Sequence, residues 1–267
     1  MHRLPGDPPP CHATPVLLIP GVLTDSTAFV LDAPCQSLGF ALLDNCYDVW
    51  LGNVRGNSYG KRHRTLDTTS GAFWNFTFHE HAVYDVPAQI DYILDVTGER
   101  TLLYIGWAQG TLIFFTMLSE KPQYNQKIRA FAGLAPYRKI LGNHVPIMQE
   151  SRPLGYQFLL RATKKSQKYD FGPAGNFIRY KQAAPPEYNI HNVKIDDIAF
   201  FWSEGDNYVL PSTVQDLISE LGWRVKFKHY IPDPDFSNLN FIMSTVGLKM
   251  YLRELIHFFE DYINLPQ

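Results

Sequence analysis

Two kinds of hydrophobic pattern alternate along this chain. Short apolar runs occur at Pro15–Ile19, 47–51, 102–106, Ile128–Leu134 and 198–202, interrupted only by Asp48 and Arg129, and Val225–Ile231 reads as a last strand with lysines between its apolar residues. Runs of this length bounded by Gly, Pro or Asn predict strands buried on both faces. Between them, apolar residues recur at helical spacing. Val86, Ile90, Ile93 and Leu94 make one stripe, with Asp85 as the expected N-cap, Pro87 in the first turn and Gly98 as the stop. A helix is expected after Gly110 through Leu112, Ile113, Phe114 and Phe115. Ser212 and Gln215 read as a capping box for a helix with Val214, Leu217, Ile218 and Leu221 inward and Gly222 at its end. A last helix carries Leu248, Leu252, Leu255, Phe259 and Ile263, and residues 26–38 read as mixed and partly helical.

Strand and helix alternate almost throughout, so the expected architecture is α/β, a mostly parallel sheet with helices on both faces. Residues 137–195 break the alternation, being rich in Lys, Arg, Pro and Gly with weak periodicity. They read as an insertion over the sheet, within a single domain spanning 1–267. Ligands of such sheets sit beyond the carboxyl ends of the strands, which singles out the loops after Ile19, Ile105 and Trp202.

The run at 102–106 ends in Gly106-Trp107-Ala108-Gln109-Gly110. A buried strand, a turn flanked by two glycines and a buried helix match the G-x-S-x-G nucleophile elbow, where strand and helix approach too closely for side chains. The central position, which should carry a hydroxyl, is Ala108. Five residues alone also fit coincidence, so the rest of the chain must decide.

Composition narrows the choices. With 45% hydrophobic and 19% charged residues in 267, the chain has material for a large core. A net charge of -2 gives no electrostatic reason to bind nucleic acid. No apolar run reaches the roughly 18 residues that a membrane span needs. Cys11, Cys35 and Cys46 show neither a disulfide framework nor metal-ligand spacing, and read as buried thiols with at most one bridge. No metal and no cofactor is expected. Met1 is followed by Pro- and Gly-rich sequence without a signal-peptide core, which taken literally means a cytoplasmic chain. Asn75-Phe76-Thr77 is a glycosylation sequon, relevant to a secreted chain. The basic cluster 61–64 reads as a solvated loop.

Residues 47–57, Tyr-Asp-Val-Trp-Leu-Gly-Asn-Val-Arg-Gly-Asn, resemble the D-V-W-x-G-N-x-R-G-N signature of the acid lipase family of α/β-hydrolases, the gastric and lysosomal lipases and their invertebrate relatives. Phe73-Trp74-Asn75-Phe76 and Tyr84-Asp85-Val86-Pro87-Ala88 are similar to that family's F-W-x-F and Y-D-L-P-A segments. Tyr169-Asp170-Phe171-Gly172 and 185–189 resemble the segments where its cap rejoins the core, and His2-Arg3-Leu4-Pro5 resembles the H-R-I-P that ends its first hairpin. The resemblance runs from His2 to the final helix. It implies an α/β-hydrolase fold with a shortened cap, loss of the opening strands, a serine ester hydrolase ancestry in lipid degradation, and a secreted or lysosomal location.

The resemblance also implies where chemistry has changed. The family's elbow reads G-H-S-Q-G, and here Trp107 stands for the histidine and Ala108 for the serine. Gly205-Asp206-Asn207 places Asn207 at the acid position of G-x-D, and Asn238-Leu239-Asn240-Phe241 places Asn238 at the histidine of H-L-D-F. Backbone N–H groups of Val22 and Gln109 are the implied oxyanion donors. Alanine cannot attack, and an amide at 238 cannot take a proton near neutral pH. Ser203, Ser237, Asp206 and His229 lie near these loops in sequence, though none at the elbow tip. Three readings follow: a pseudo-lipase keeping a hydrophobic pocket for acyl chains or sterol esters, an active carboxylic-ester hydrolase, and a non-binding scaffold or storage protein. The partner class is a lipid or fatty-acyl ester, with transient contact to a lipid surface, no nucleic acid, and an oligomeric state left open.

Overall fold

The apolar runs become the interior of a single sheet. The computed structural model describes residues 1–6, 14–33, 36–139, 166–244 and 246–263, with backbone alone at residue 263. Strands β1 (His2–Arg3), β2 (Pro15–Ile19), β3 (Asp48–Leu51), β4 (Leu102–Trp107), β5 (Ile128–Leu134), β6 (Ile198–Ser203) and β7 (Val225–Ile231) form one seven-stranded sheet in the order β1-β3-β2-β4-β5-β6-β7. Strands β2 to β7 pair in parallel, and β1 pairs antiparallel with β3. Every residue of β2, β3, β4 and β6 is buried, which is why these strands read as continuous runs rather than alternations. The edge strand β7 differs, with Lys226, Lys228 and Tyr230 exposed between half-buried Phe227 and His229.

Helices α1 (Leu38–Asp44), α2 (Val86–Thr97), α3 (Gln109–Glu120), α4 (Gly172–Tyr180), α5 (Pro211–Leu221), α6 (Asn240–Met243) and α7 (Leu252–Ile263) connect or flank the strands. Helix α3 is buried from Gln109 to Ser119, as an all-round apolar helix must be. The chain leaves β2 for β3 on one side and returns to β4 on the other. The carboxyl ends of β2 and β4 therefore meet at the point where the strand order reverses, the usual ligand position in such sheets.

Buried hydrogen bonds account for the signature residues. Arg3 binds Asp48 through two nitrogens at 2.7 and 3.0 Å, and the Trp50 indole donates to the same carboxylate at 2.9 Å. Asn53 accepts from the Ser26 amide, and Gln89 on α2 both donates to the Asn53 carbonyl and accepts from its N–H. Arg55 engages Asp85 with its backbone N–H, Nε and Nη2. The loop after β3 is thereby fastened to α2.

Three expectations are corrected. Asp85 is not an N-cap: its φ of -70° and ψ of -50° are helical, and the helical run begins at Phe78. Thr77 caps it, with Oγ1 accepting from the His79 amide while Glu80 accepts from the Thr77 amide at 2.6 Å. One π turn, His81–Asp85, then leads into α2. Helix α5 has Leu210 at its N-cap and Pro211 at N1, so Ser212 and Gln215 form no box. Leu248 belongs to a separate 3-10 turn before α7. Residues 140–165 of the expected insertion lie outside the described residues, as do the side chain of Ile263 and the whole of Cys11 and Cys35. Cys46 is disulfide-bonded.

Candidate active site

Between the last residue of β4 and the first of α3 stands one residue, Ala108. Its φ of 47° and ψ of -106° belong to neither element and are rare for any residue with a side chain. Three hydrogen bonds hold it there. Its N–H donates to the Leu134 carbonyl at 2.9 Å, and its carbonyl accepts from the Thr111 amide and hydroxyl at 2.9 and 2.7 Å. A side-chain carbon at Gly106 would stand 2.8 Å from the backbone of Gly110 and Thr111, and one at Gly110 would collide with the Ile19 carbonyl. The Tyr104 hydroxyl closes the turn by donating to the Gly110 carbonyl at 3.1 Å. Gly106, Ala108 and Gly110 thus form a sharp elbow at the switch point of the sheet.

Pairing of Ile19 with Gly106 brings the loop after β2, with half-buried Val22, alongside the elbow. Trp107 lies between that loop and the loop after β7. Its ring sits so close to Gly21 that a side-chain carbon there would approach to 3.0 Å, and its Nε1 donates to the Asn238 carbonyl at 3.2 Å. The ring fills the space beside the elbow. Gln109 is buried, and its Nε2 finds no hydrogen-bond partner among the described residues.

Asn238 does reach the elbow, but Asn207 does not face it. The buried Asn238 side chain donates from Nδ2 to Asp206 Oδ2 at 2.9 Å. Asp206 is itself buried and accepts at Oδ1 from the Tyr208 and Val209 amides, both at 2.8 Å, whereas Asn207 is exposed. Asp206, held by these amides, lies inside against Asn238, and the side chain that follows it lies outside. The carboxylate opposite Asn238 is therefore Asp206. Burial pushes its pKa up from the ordinary value, and the three donors pull it back.

The other candidates are occupied elsewhere. Ser203 donates to the Phe236 carbonyl at 2.7 Å and Ser237 to Asn240 at 2.6 Å, while the His229 ring bonds the Met250 carbonyl. Neither serine has a base beside it among the described residues. No group of His, Cys, Asp or Glu there could hold a metal, and no helix there is long and apolar enough to cross a membrane. The arrangement holds an elbow, a buried carboxylate and an N–H directed at that carboxylate. At the elbow tip Ala108 offers no atom that could attack, and the Asn238 amide opposite Asp206 offers no basic nitrogen.

Residues 14–183 match the family model described as the alpha/beta hydrolase fold. Lipase 1 of Drosophila melanogaster is 29% identical over 312 residues, covering 91% of this chain and 71% of that protein. A lysosomal acid lipase/cholesteryl ester hydrolase of Macaca fascicularis is 43% identical over 121 residues, 45% of this chain and 30% of that one. Among solved structures, an esterase of Pyrococcus furiosus superposes with a TM-score of 0.56 at 15% identity, over 95% of this chain and 84% of its own, a likeness of fold. Elbow, switch point, strand order and these likenesses agree, and the chain belongs to the α/β-hydrolase fold family as an acid-lipase-like member.

Proposed function

We propose that this chain is a pseudo-lipase: it retains the hydrolase scaffold and a lipid-facing site but does not hydrolyse esters. The observation that carries the reading is Ala108, a residue without a nucleophilic atom at the tip of an elbow otherwise built to present one. Asn238 supports it. In a working triad an imidazole donates one N–H to the acid and uses its other nitrogen as the base. The Asn238 amide makes the bond to Asp206 and has no basic nitrogen. Two of the three triad roles are thus vacated, at Ala108 and Asn238, and the acid is retained as Asp206. The Val22 and Gln109 amides remain as oxyanion donors. Alone with substrate binding, such donors are worth about 10³–10⁴ over water.

The ligand class is a lipid or fatty-acyl ester, held beneath a reduced cap within 137–195 of a single domain. The disulfide at Cys46 supports maturation in an oxidising compartment, in keeping with the lysosomal relative. The deciding experiment measures hydrolysis of short- and long-chain nitrophenyl esters together with saturable binding of a fluorescent long-chain fatty acid. Binding without turnover is expected. Turnover well above the uncatalysed rate, abolished by mutating some other serine, overturns the reading. Absence of both turnover and binding points to a scaffold or storage protein.

A further inference from the structure

We propose that Asn75 carries an N-linked glycan, at the chain's one Asn-x-Ser/Thr sequon. The proposal rests on the reading that the chain matures in an oxidising, secretory compartment. Geometry at residues 73–77 supplies the rest. Phe73 is buried, and its ring meets Trp74 at 5.0 Å and Phe76 at 6.2 Å between centroids. Trp74 also donates from Nε1 to the Thr68 carbonyl, and Phe76 packs over Gly56 and against His81. Trp74 and Phe76 are thus drawn inward, and Asn75 between them is exposed. Its side-chain amide makes no hydrogen bond among the described residues, so a modification there breaks nothing. Asn75 is one of the residues that line a cleft of about 410 Å³, shared with Phe76, His79, Lys168 and Tyr180.

Thr77 completes the sequon and also caps the helical run with its hydroxyl. Both uses need the same oxygen, but at different times: the transferase acts on the extended chain, and the cap forms on folding. The reaction is a glycosyl transfer from a polyprenyl-diphosphate oligosaccharide. Asn75 Nδ2 forms a bond to the anomeric carbon and loses one proton, while the bond from that carbon to the diphosphate oxygen breaks and the lipid diphosphate leaves.

The test expresses the full chain in insect cells twice, from its natural transcript and behind an added secretion leader. Peptide:N-glycosidase digestion of the secreted protein should shorten it by the mass of one glycan. Asn75→Gln should be secreted without that shift and should melt with the wild-type midpoint. Thr77→Ser should keep the shift, and Thr77→Ala should lose it together with some thermal stability. A leader-directed, secreted chain whose peptide spanning Asn75 is unmodified overturns the site. A natural product confined to the cytosol with Cys46 reduced overturns the compartment reading, and with it glycosylation in the cell, even where the leader-directed chain is modified.

Discussion

Ala108 keeps a backbone geometry whose usual reason, the display of a nucleophile, is gone. A non-glycine residue at φ 47°, ψ -106° costs on the order of 1–3 kcal/mol. Glycine relieves most of that and adds some chain entropy to the unfolded state. Ala108→Gly is therefore expected to stabilise the protein by about 1 kcal/mol, seen as a higher midpoint in urea with unchanged slope. Position 108 carries no nucleophilic atom for the change to remove. Repair of the chemistry is a second residue-scale expectation. Ala108→Ser alone should give no esterase activity, because the hydroxyl has no base. Adding Asn238→His supplies one, with Asp206 already placed to orient it. Nucleophile and base act as a unit, so the double variant should exceed either single by on the order of 10³-fold or more. Asn207→Asp should contribute nothing. The position of the acid was legible to within one residue: the Gly-Asp-Asn run announced it, but only the turn closed by Asp206 decides which side chain faces inward.

At the scale of elements, strands were far more legible than helix ends. Pro15–Ile19, Ile128–Leu134 and Val225–Ile231 carry the same bounds in sequence and structure, because burial on both faces leaves the first without a polar residue and the second with Arg129 alone. The start of the α2 run was misplaced because Pro87 imitates a first-turn proline. The signal that could have found it, Thr77-x-x-Glu80, was present. A π turn breaks helical periodicity between that signal and Val86, which hid their connection. That turn buries His81. Its Nε2 bonds the Arg55 carbonyl at 3.2 Å and its Nδ1 has no partner among the described residues. Burial lowers its pKa to about 4, with Asp85 opposing and Arg55 adding to the shift. The folded-state value lies below the unfolded value of about 6.5, so the unfolded chain binds the proton first. The stabilisation is complete above pH of about 6.5 and is lost as the pH falls through about 4. Between these limits the native protein should lose on the order of 3 kcal/mol more than His81→Gln, measured by urea unfolding across the range.

Across the whole molecule, the parallel sheet follows from alternation of strand and helix, and its strand order places the elbow at the switch point where ligands of such sheets bind. What alternation does not encode is the fastening of parts by single polar residues. Arg3 on Asp48 and Arg55 on Asp85 join segments 45 and 30 residues apart, and nothing periodic marks them. The same sheet has one long open side. Among the described residues no strand pairs with the outer side of β7, and edge strands recruit one another between molecules unless charge forbids it. Lys226 and Lys228 stand exposed on that strand, Lys226 paired with Asp197 at 2.5 Å. Lys226→Val combined with Lys228→Val should therefore leave the monomer folded by circular dichroism and yet cause concentration-dependent assembly, followed by light scattering. Those two charges are then what the outermost strand of this hydrolase scaffold sets against pairing with another copy of the chain.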